Sequence, residues 1–507
     1  MYLPNLKYSE QKSKQQIVEF LGLNFSDNYS DGNFAACRNL STRRYPYLCT
    51  RLRRLAVGNY TAPTAVTAWN KLVVVDGTSL IYDGKTVGTV QSGEKQFAVV
   101  NTKLVIWPDK KYLDLNTSTL HDLGASFSKA GMTVDTNSIS VSGADFLSKF
   151  SVGDGVTISG CTTQPGNNKD LVVKAVTSTK LTFSDNSLTA CTEAGTLKVE
   201  RKIPDLDFIC ESENRLWGVS NGNQTIYASA LGDPKNFFVY QGISTDSYAL
   251  AVGSAGNFTG CCKLSSSVLF WKENLLHKVL GSYPAEYALY TSDITGVQEG
   301  SFKSMQIIND VLFYKGTDGV YAYSGGTPTM VSQNFGAKRF SDAVCGTDGR
   351  NYYMSAKSAG VWHLLVYDTQ QGVWLEEDDT QALDFCRYNG FLYMLTAGKK
   401  LWALDADTGD EKLDWSATFT PFYEVLGGKK VYSSLYVRVE LDAGAWMQAE
   451  VRCDKGKWEK VGSVHGKGTQ LLPVRPRRCD RYEIRLSGHG ACAVLGMIRR
   501  LRVGSEV

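Results

Sequence analysis

Apolar and polar positions alternate along this chain in one phrase that returns seven times. A short apolar run is followed by a polar turn, then by a second apolar run ending in an aromatic and an Asp, Ser or Gly. The first two copies are Lys71-Leu72-Val73-Val74 with Leu80-Ile81-Tyr82-Asp83, and Leu104-Val105-Ile106 with Tyr112-Leu113-Asp114. The next two, looser in fit, are Leu216-Trp217 with Ile226-Tyr227, and Val268-Leu269-Phe270-Trp271 with Leu276-His277. The last three are Val311-Leu312-Phe313-Tyr314 with Val320-Tyr321-Ala322-Tyr323, Tyr352-Tyr353-Met354 with Leu365-Val366-Tyr367-Asp368, and Phe391-Leu392-Tyr393-Met394 with Leu401-Trp402-Ala403-Leu404-Asp405. Each phrase predicts two antiparallel strands joined by a turn. From Leu216 onward the phrase restarts at Val268, Val311, Tyr352 and Phe391, in steps that shorten and become nearly even. Those later steps match the period of a β-propeller, roughly 40 residues per four-stranded unit. One such unit cannot bury both its faces alone, so the repeats are expected to stack.

The rhythm breaks between the second and third copies. The step from Leu104 to Leu216 is more than three times the step from Leu72 to Leu104, and excising 124–203 restores the rhythm. That inserted stretch carries its own short strands: Val156-Thr157-Ile158-Ser159, Leu171 to Val176, and Lys180-Leu181-Thr182-Phe183. Gly153-Asp154-Gly155 and Pro165-Gly166-Asn167-Asn168 supply turns between them. Loops between repeats tolerate such insertions. After residue 410 the strands change character. Val431 to Leu441 is long and partly alternating, and Ala449–Cys453, Arg481–Leu486 and Ala493–Ile498 follow, which predicts a β-sandwich. The expected organisation is all-β. It has an N-terminal arm and irregular segment (1–54), a first propeller part (55–123), an inserted small β-domain (124–203), a second propeller part (204–410) and a C-terminal β-sandwich (411–507). Residues 1–20 could form an extended arm or one short helix. The N-terminal segment could also complete a blade.

Composition narrows the class. Of the 507 residues 43% are hydrophobic and 21% charged, which excludes a disordered chain. The formal net charge of +3 is too small to require a nucleic-acid partner by itself. None of the 12 cysteines forms a pair with zinc-ligand spacing. Cys210 and Cys386 fall inside apolar strand patterns, and the set reads as reduced thiols of a protein made in a cytoplasm. The sequence carries no signal-peptide pattern and no apolar run long enough to cross a bilayer, so no membrane span is expected.

Catalytic signatures are sparse. The five histidines, His121, His277, His363, His465 and His489, make no metal-binding pattern at local spacing. His277 and His363 follow apolar strand residues and read as satisfied core or surface side chains. There is no nucleophile elbow or P-loop, and the GxxGxxxG of Gly253 to Gly260 reads as a turn. Glu376-Glu377-Asp378-Asp379 could supply the two carboxylates of a glycosidase, but after Trp374-Leu375 a solvated loop is the plainer reading. Asp405, Asp407 and Asp410 resemble a calcium loop, yet the twelfth position, where a bidentate Glu is needed, is Ser416, and a hairpin turn needs the same residues. No catalytic residue, metal or cofactor is expected.

Two arginine groups stand out. Arg38, Arg43, Arg44, Arg51, Arg53 and Arg54 flank Tyr45 and Tyr47; Arg475, Arg477, Arg478, Arg481, Arg485, Arg499, Arg500 and Arg502 lie near the C-terminus. Arginine suits interfaces and phosphates. These groups read mainly as ion pairs between subunits, with a channel-facing role or plain solvated surface as alternatives.

Several stretches resemble a known family. Gly22-Leu23-Asn24-Phe25-Ser26-Asp27-Asn28, Arg38-Asn39-Leu40-Ser41 and Tyr45-Pro46-Tyr47-Leu48 look like the opening of virion proteins of tailed bacteriophages. Glu213-Asn214-Arg215-Leu216-Trp217-Gly218 with Thr225 to Pro234 is similar to the tail nozzle (tail tubular protein B) family of short-tailed phages. The region from Gly456-Lys457-Trp458 to Gly488, with Leu472 to Asp480, resembles terminal β-domains of such proteins. The resemblance implies a structural, non-enzymatic subunit of the virion tail. It implies a homo-oligomeric ring, a hexamer, below the head and its adaptor. The ring would contact tail fibre or tip proteins and, transiently, genomic DNA leaving through its centre. Two other classes stay open: a receptor- or glycan-binding propeller, with Trp217, Trp271, Trp362, Trp374 and Trp402 able to line pockets, and a propeller glycoside hydrolase.

Overall fold

A computed structural model describes residues 11–406, 408, 412–423 and 429–503. The fold is all-β and divides into two compact units, residues 61–302 in one and 1–60 with 303–507 in the other. Residues 1–10 of the N-terminal arm lie outside the described residues, as do Asp407 and Asp410 of the calcium-like loop.

The unit of residues 61–302 contains four antiparallel four-stranded sheets. They run over Pro63–Trp69 to Lys85–Thr89, Gln96–Val100 to Thr119–Asp122, Phe208–Ser212 to Tyr248–Ala251, and Gly260–Leu264 to Ala288–Asp293. The other unit contains three, beginning at Gln306–Ile308, Ser341–Thr347 and Ala382–Tyr388. The last of these takes its fourth strand from Leu55–Ala56, which pairs with Leu401–Ala403. All seven repeated phrases fall on the second and third strands of these sheets.

Packing explains why those strands read as continuous apolar runs. In Lys103–Trp107, Leu104 and Ile106 face a core shared with Val73, Val75 and Leu80 of the preceding sheet. Val105 and Trp107 face the opposite side, with Leu216 and Tyr227 of the following sheet. Trp217 and Val219 then join Phe270 and Val268 of the next. A strand buried on both faces has no polar face to show. First strands of successive sheets lie side by side. Gln96–Val100 neighbours Phe208–Ser212, which neighbours Gly260–Leu264; in the other unit Gln306–Ile308 neighbours Ser341–Thr347, which neighbours Ala382–Tyr388.

Within residues 61–302, six strands between Ala125–Asp135 and Cys191–Arg201 close into a barrel. Its interior is filled by Met132, Ile139, Phe146, Val156, Ile158, Leu181, Leu197 and Val199. A polar root holds it. The buried Arg201 pairs with the buried Asp154 and donates from Nε to the Leu123 carbonyl at 2.9 Å. Asn236, in the loop after Thr225–Ala228, accepts the Gly155 N–H at 3.1 Å and donates to Asp154 at 3.3 Å. Gly155 has no room for a side chain, since a Cβ there would stand 2.6 Å from the Phe238 carbonyl oxygen.

The C-terminal strands form two facing sheets, and the N-terminal segment belongs to both. Asn33–Arg38 pairs with Asp414–Phe419 in a six-stranded sheet, and Leu48–Thr50 pairs with Cys492–Val503 in a seven-stranded one. Gln11–Ile17 is extended rather than helical, a strand antiparallel to Cys492–Val503. The segment read from sequence as irregular is therefore structural, its partners lying far along the chain. Between the sheets, Leu435, Val437, Met447, Ile484 and Leu486 are buried, and Tyr432 stacks on Tyr482 at 3.7 Å.

Candidate functional site

The richest polar constellation lies in the unit that holds residues 303–507, where three turns converge. Asp348-Gly349-Arg350 joins Ser341–Thr347 to Asn351–Ser358. Asn389-Gly390, both at positive φ, makes the two-residue turn between Ala382–Tyr388 and Phe391–Thr396. Asp405 follows Leu401–Ala403 in the left-handed conformation that Asp tolerates. Together they line a cavity of about 430 Å³ with Tyr353, Arg387, Phe391, Leu392 and Leu404.

Its two carboxylates differ. Asp348 is held by its own turn: it accepts the Arg350 and Asn351 backbone N–H groups at 2.8 and 2.7 Å and the Asn351 side-chain amide at 2.8 Å, with the Tyr353 hydroxyl at 3.3 Å. Asp405 has the Tyr353 hydroxyl, also at 3.3 Å. That hydroxyl holds one proton and can donate to one carboxylate at a time. Asp405 is exposed at the rim, while its Oδ2 faces the buried Tyr353 hydroxyl. Burial there, with Glu377 and Asp348 nearby, pushes its pKa up to about 6. Burial, reinforced by the same three carboxylates, also raises the Tyr353 hydroxyl. Arg350 is committed to Asp368, while Arg387 is exposed and has no ion pair among the described residues.

Behind the cavity sits a buried ionic quartet. Arg54 Nη2 reaches Glu377 Oε2 at 2.7 Å and its Nη1 reaches Asp378 Oδ2 at 2.7 Å. Arg51 lies 3.7 Å from Glu377 and donates to Asn39 Oδ1 at 2.8 Å. Burial would raise Asp378, but Arg54 and the hydrogen bonds from Thr380 outweigh it and hold the carboxyl below the usual range. Glu376 to Asp379 is therefore not a solvated loop. Glu377 and Asp378 end the strand Val373–Asp378 and are buried. Each is held by an arginine, which leaves neither in position to exchange a proton with a sugar.

The two arginine groups separate on folding. Arg51, Arg54 and Arg499 are buried and paired inside the chain, Arg499 with Asp31 and over the Phe422 ring, so they are not surface contacts. Arg38 pairs with Asp379 at 3.0 Å, and Arg43 donates to the Thr50 carbonyl. Arg53, Arg475 and Arg478 are exposed. Arg477 pairs with Glu459 beside a small cavity that Arg475, Lys457 and Lys460 also line. Arg481 and Arg485 pair with Glu483 and Glu450.

Arg44 and Arg500 both meet residues of one strand of the seven-stranded sheet. Arg44 pairs with Glu440 at 2.8 Å, and Arg500 lies over the Tyr436 ring at 4.6 Å; Glu440 and Tyr436 both lie on Lys430–Leu441. Arg502, also exposed, is on the adjacent Cys492–Val503. This outward face also has an open groove of about 440 Å³ lined by Gln16, Val18, Tyr47, Arg438, Leu495 and Ile498. Val18 is 49%, Tyr47 39% and Leu471 55% exposed.

Among the remaining candidates, Trp362 and Trp402 are half-buried. Trp217, Trp271 and Trp374 are buried and cannot line an open pocket. His277 is buried between the Ser254 and Thr291 hydroxyls, and burial with Lys272 nearby lowers its pKa. His363 contacts Glu376 at 2.7 Å. Among the described residues no cluster of His, Cys, Asp and Glu could hold a metal ion. Among them too, no helix is long and apolar enough to cross a membrane.

No protein-family model and no curated protein matches the chain. Solved structures resemble it only in outline. An exo-β-1,3-galactanase of Phanerochaete chrysosporium aligns over 56% of this chain and 92% of its own at 9% identity, with a TM-score of 0.23. Hsv2 of Kluyveromyces lactis aligns over 62% and 73% at 10% identity, with a TM-score of 0.32. A putative exported protein of Bacteroides fragilis aligns over 74% and 87% at 6% identity, with a TM-score of 0.29.

Proposed function

We propose that this chain is a structural subunit of a tailed-bacteriophage tail. Its four-stranded sheets are the blades of a β-propeller. Copies of it form a ring, a six-fold nozzle, that continues the DNA channel below the head-tail adaptor, retains DNA before infection and docks fibre or tip proteins. The observation that carries this reading is the outward face of the seven-stranded sheet. There Val18, Tyr47 and Leu471 are open to solvent beside the half-buried Ile498, with Arg44, Arg438, Arg500 and Arg502 around them. Exposed apolar groups ringed by arginine are the composition of a protein–protein contact, and in a homo-oligomer that contact is made to a second copy. The arginine-bound state of Glu377 and Asp378 weighs against the hydrolase alternative. Cryo-EM of intact particles, with copy number from quantitative mass spectrometry, tests the assignment. A closed ring of this chain on the tail axis is the expected result. Its absence from the particle, or a place off the axis, overturns it.

A further inference from the structure

We propose that the cavity lined by Asp348, Tyr353, Arg387, Phe391, Leu404 and Asp405 binds a neutral pyranose, the terminal ring of a glycan. The inference stands independently of the assembly reading.

Shape and lining come first. At about 430 Å³ the cavity falls in the range of small-ligand sites, roughly 300–1,000 Å³, and is wide enough for one sugar ring with room for water. One wall is aromatic: Phe391, 42% exposed, lies at the cavity next to the Asn389-Gly390 turn. An open aromatic face beside polar groups suits the C–H face of a pyranose. Leu392 and Leu404 add apolar lining.

The polar groups then select the ligand. Three donors of its own turn hold Asp348, the Arg350 and Asn351 backbone N–H groups and the Asn351 amide, and Arg350 is anchored through one nitrogen to Asp368, so these two chiefly shape the site. Arg387 and Asp405 keep the most hydrogen-bonding capacity to spare. Arg387 offers donors only, with its guanidinium against Gly349, where a Cβ would stand 2.8 Å from Nη1. Asp405 offers acceptor capacity beyond its one contact to Tyr353. A ligand spanning both must accept at one end and donate at the other, and must carry no charge, since either sign would meet its like. Vicinal hydroxyls of an uncharged sugar meet all three conditions; a uronate would satisfy Arg387 but set its carboxylate against Asp405.

The glycosidase alternative asks more of the same residues. Both Oδ2 atoms lie 3.3 Å from one hydroxyl, so they are no farther apart than twice that distance, within reach of the carboxylate spacing of glycosidases. Asp348, however, is held by three donors of its own turn whether or not Tyr353 donates to it, and shapes that turn rather than facing a sugar as nucleophile or base. The site binds; it does not cleave.

The test is saturation-transfer NMR on the full chain with methyl α-D-glucopyranoside, methyl β-D-galactopyranoside, N-acetyl-D-glucosamine and D-glucuronate, followed by calorimetry. The expected result is millimolar binding of at least one neutral sugar. Phe391→Ala and Arg387→Met should each weaken it about tenfold or more with Tm unchanged, while Leu147→Ser on the barrel leaves it intact. No transfer to any neutral sugar at about 20 mM overturns the proposal. So does binding that survives both substitutions, and so does glucuronate binding more tightly than the neutral sugars.

Discussion

Arg54 and Glu377 meet at 2.7 Å across 323 positions of sequence, both buried. The contact fastens the segment before the first four-stranded sheet to the end of a strand in the sixth. Removing one partner of a buried pair strands the other charge, at a cost of about 3–5 kcal/mol. Arg54→Met is therefore expected to lower stability by about that much, read as a shift of the denaturation midpoint. Adding Glu377→Gln and Asp378→Asn should recover part of the loss, because the stranded charges are then gone. An Arg54→Met protein as stable as the parent would remove the quartet from the account of this fold.

Asp405 sets a pH dependence of opposite sign to Asp378. Its pKa is raised from 3.8 to about 6, so the folded state holds this proton more tightly than the unfolded chain. The stability it contributes is complete below pH 3.8 and is lost as pH rises through about 6. Asp405→Asn abolishes that titration and keeps an acceptor for Tyr353. Melting temperatures of the two proteins should nearly coincide at pH 4 and separate above pH 6, with the variant the more stable. Parallel curves across that range would contradict the assignment.

Gly155 is expected to accept no substitution. An Ala there would press its methyl into the Phe238 carbonyl, a backbone group with little freedom to withdraw. Overpacking of this kind costs about 1–3 kcal/mol. Hydrogen exchange should report the loss first at the root of the barrel, near Asp154, Arg201 and Asn236.

Val18→Glu and Leu471→Glu test the sheet face without touching the core. Both residues are exposed, so the isolated chain should keep its stability to within about 0.5 kcal/mol. If the proposed ring is made through this face, analytical ultracentrifugation should show it replaced by monomer. A variant that still assembles would place the contact elsewhere.

The parts of the fold legible in the sequence are those whose signals are local. The seven phrases mark second and third strands because the second strands are largely buried on both faces and pair with the third through short turns, as in Tyr352–Met354 with Leu365–Asp368. First and fourth strands give little signal. Ala288–Asp293 is exposed along most of its length, and Leu55–Ala56 is only a single dipeptide. Asn33–Arg38 reads as irregular because its partner, Asp414–Phe419, lies far along the chain.

The site is less legible for the same reason. Glu377 and Asp378 read as solvated because acidic runs normally are, and nothing near them in sequence announces Arg51 and Arg54. Asp405 is singled out by its spacing to Asp407 and Asp410, but the described contacts join it to Tyr353 and, through that hydroxyl, to Asp348. Arg387, Phe391 and Asp348 carry no motif at all. Only the convergence of three turns makes them neighbours.

The pairing of Gln11–Ile17 with Cys492–Val503 sets an order of events during synthesis. Most four-stranded sheets are made of neighbouring hairpins and can form as each leaves the ribosome. Phe20 and Phe34, packed on Phe419 in the finished protein, and Leu23 then wait without their full cover until the later strands of that core emerge. Residues made early are thus among the last to be secured. A chain cut short before those strands would carry an exposed apolar flap rather than a slightly shorter protein. Quality control in the producing cell would meet that flap as a marker of incomplete copies.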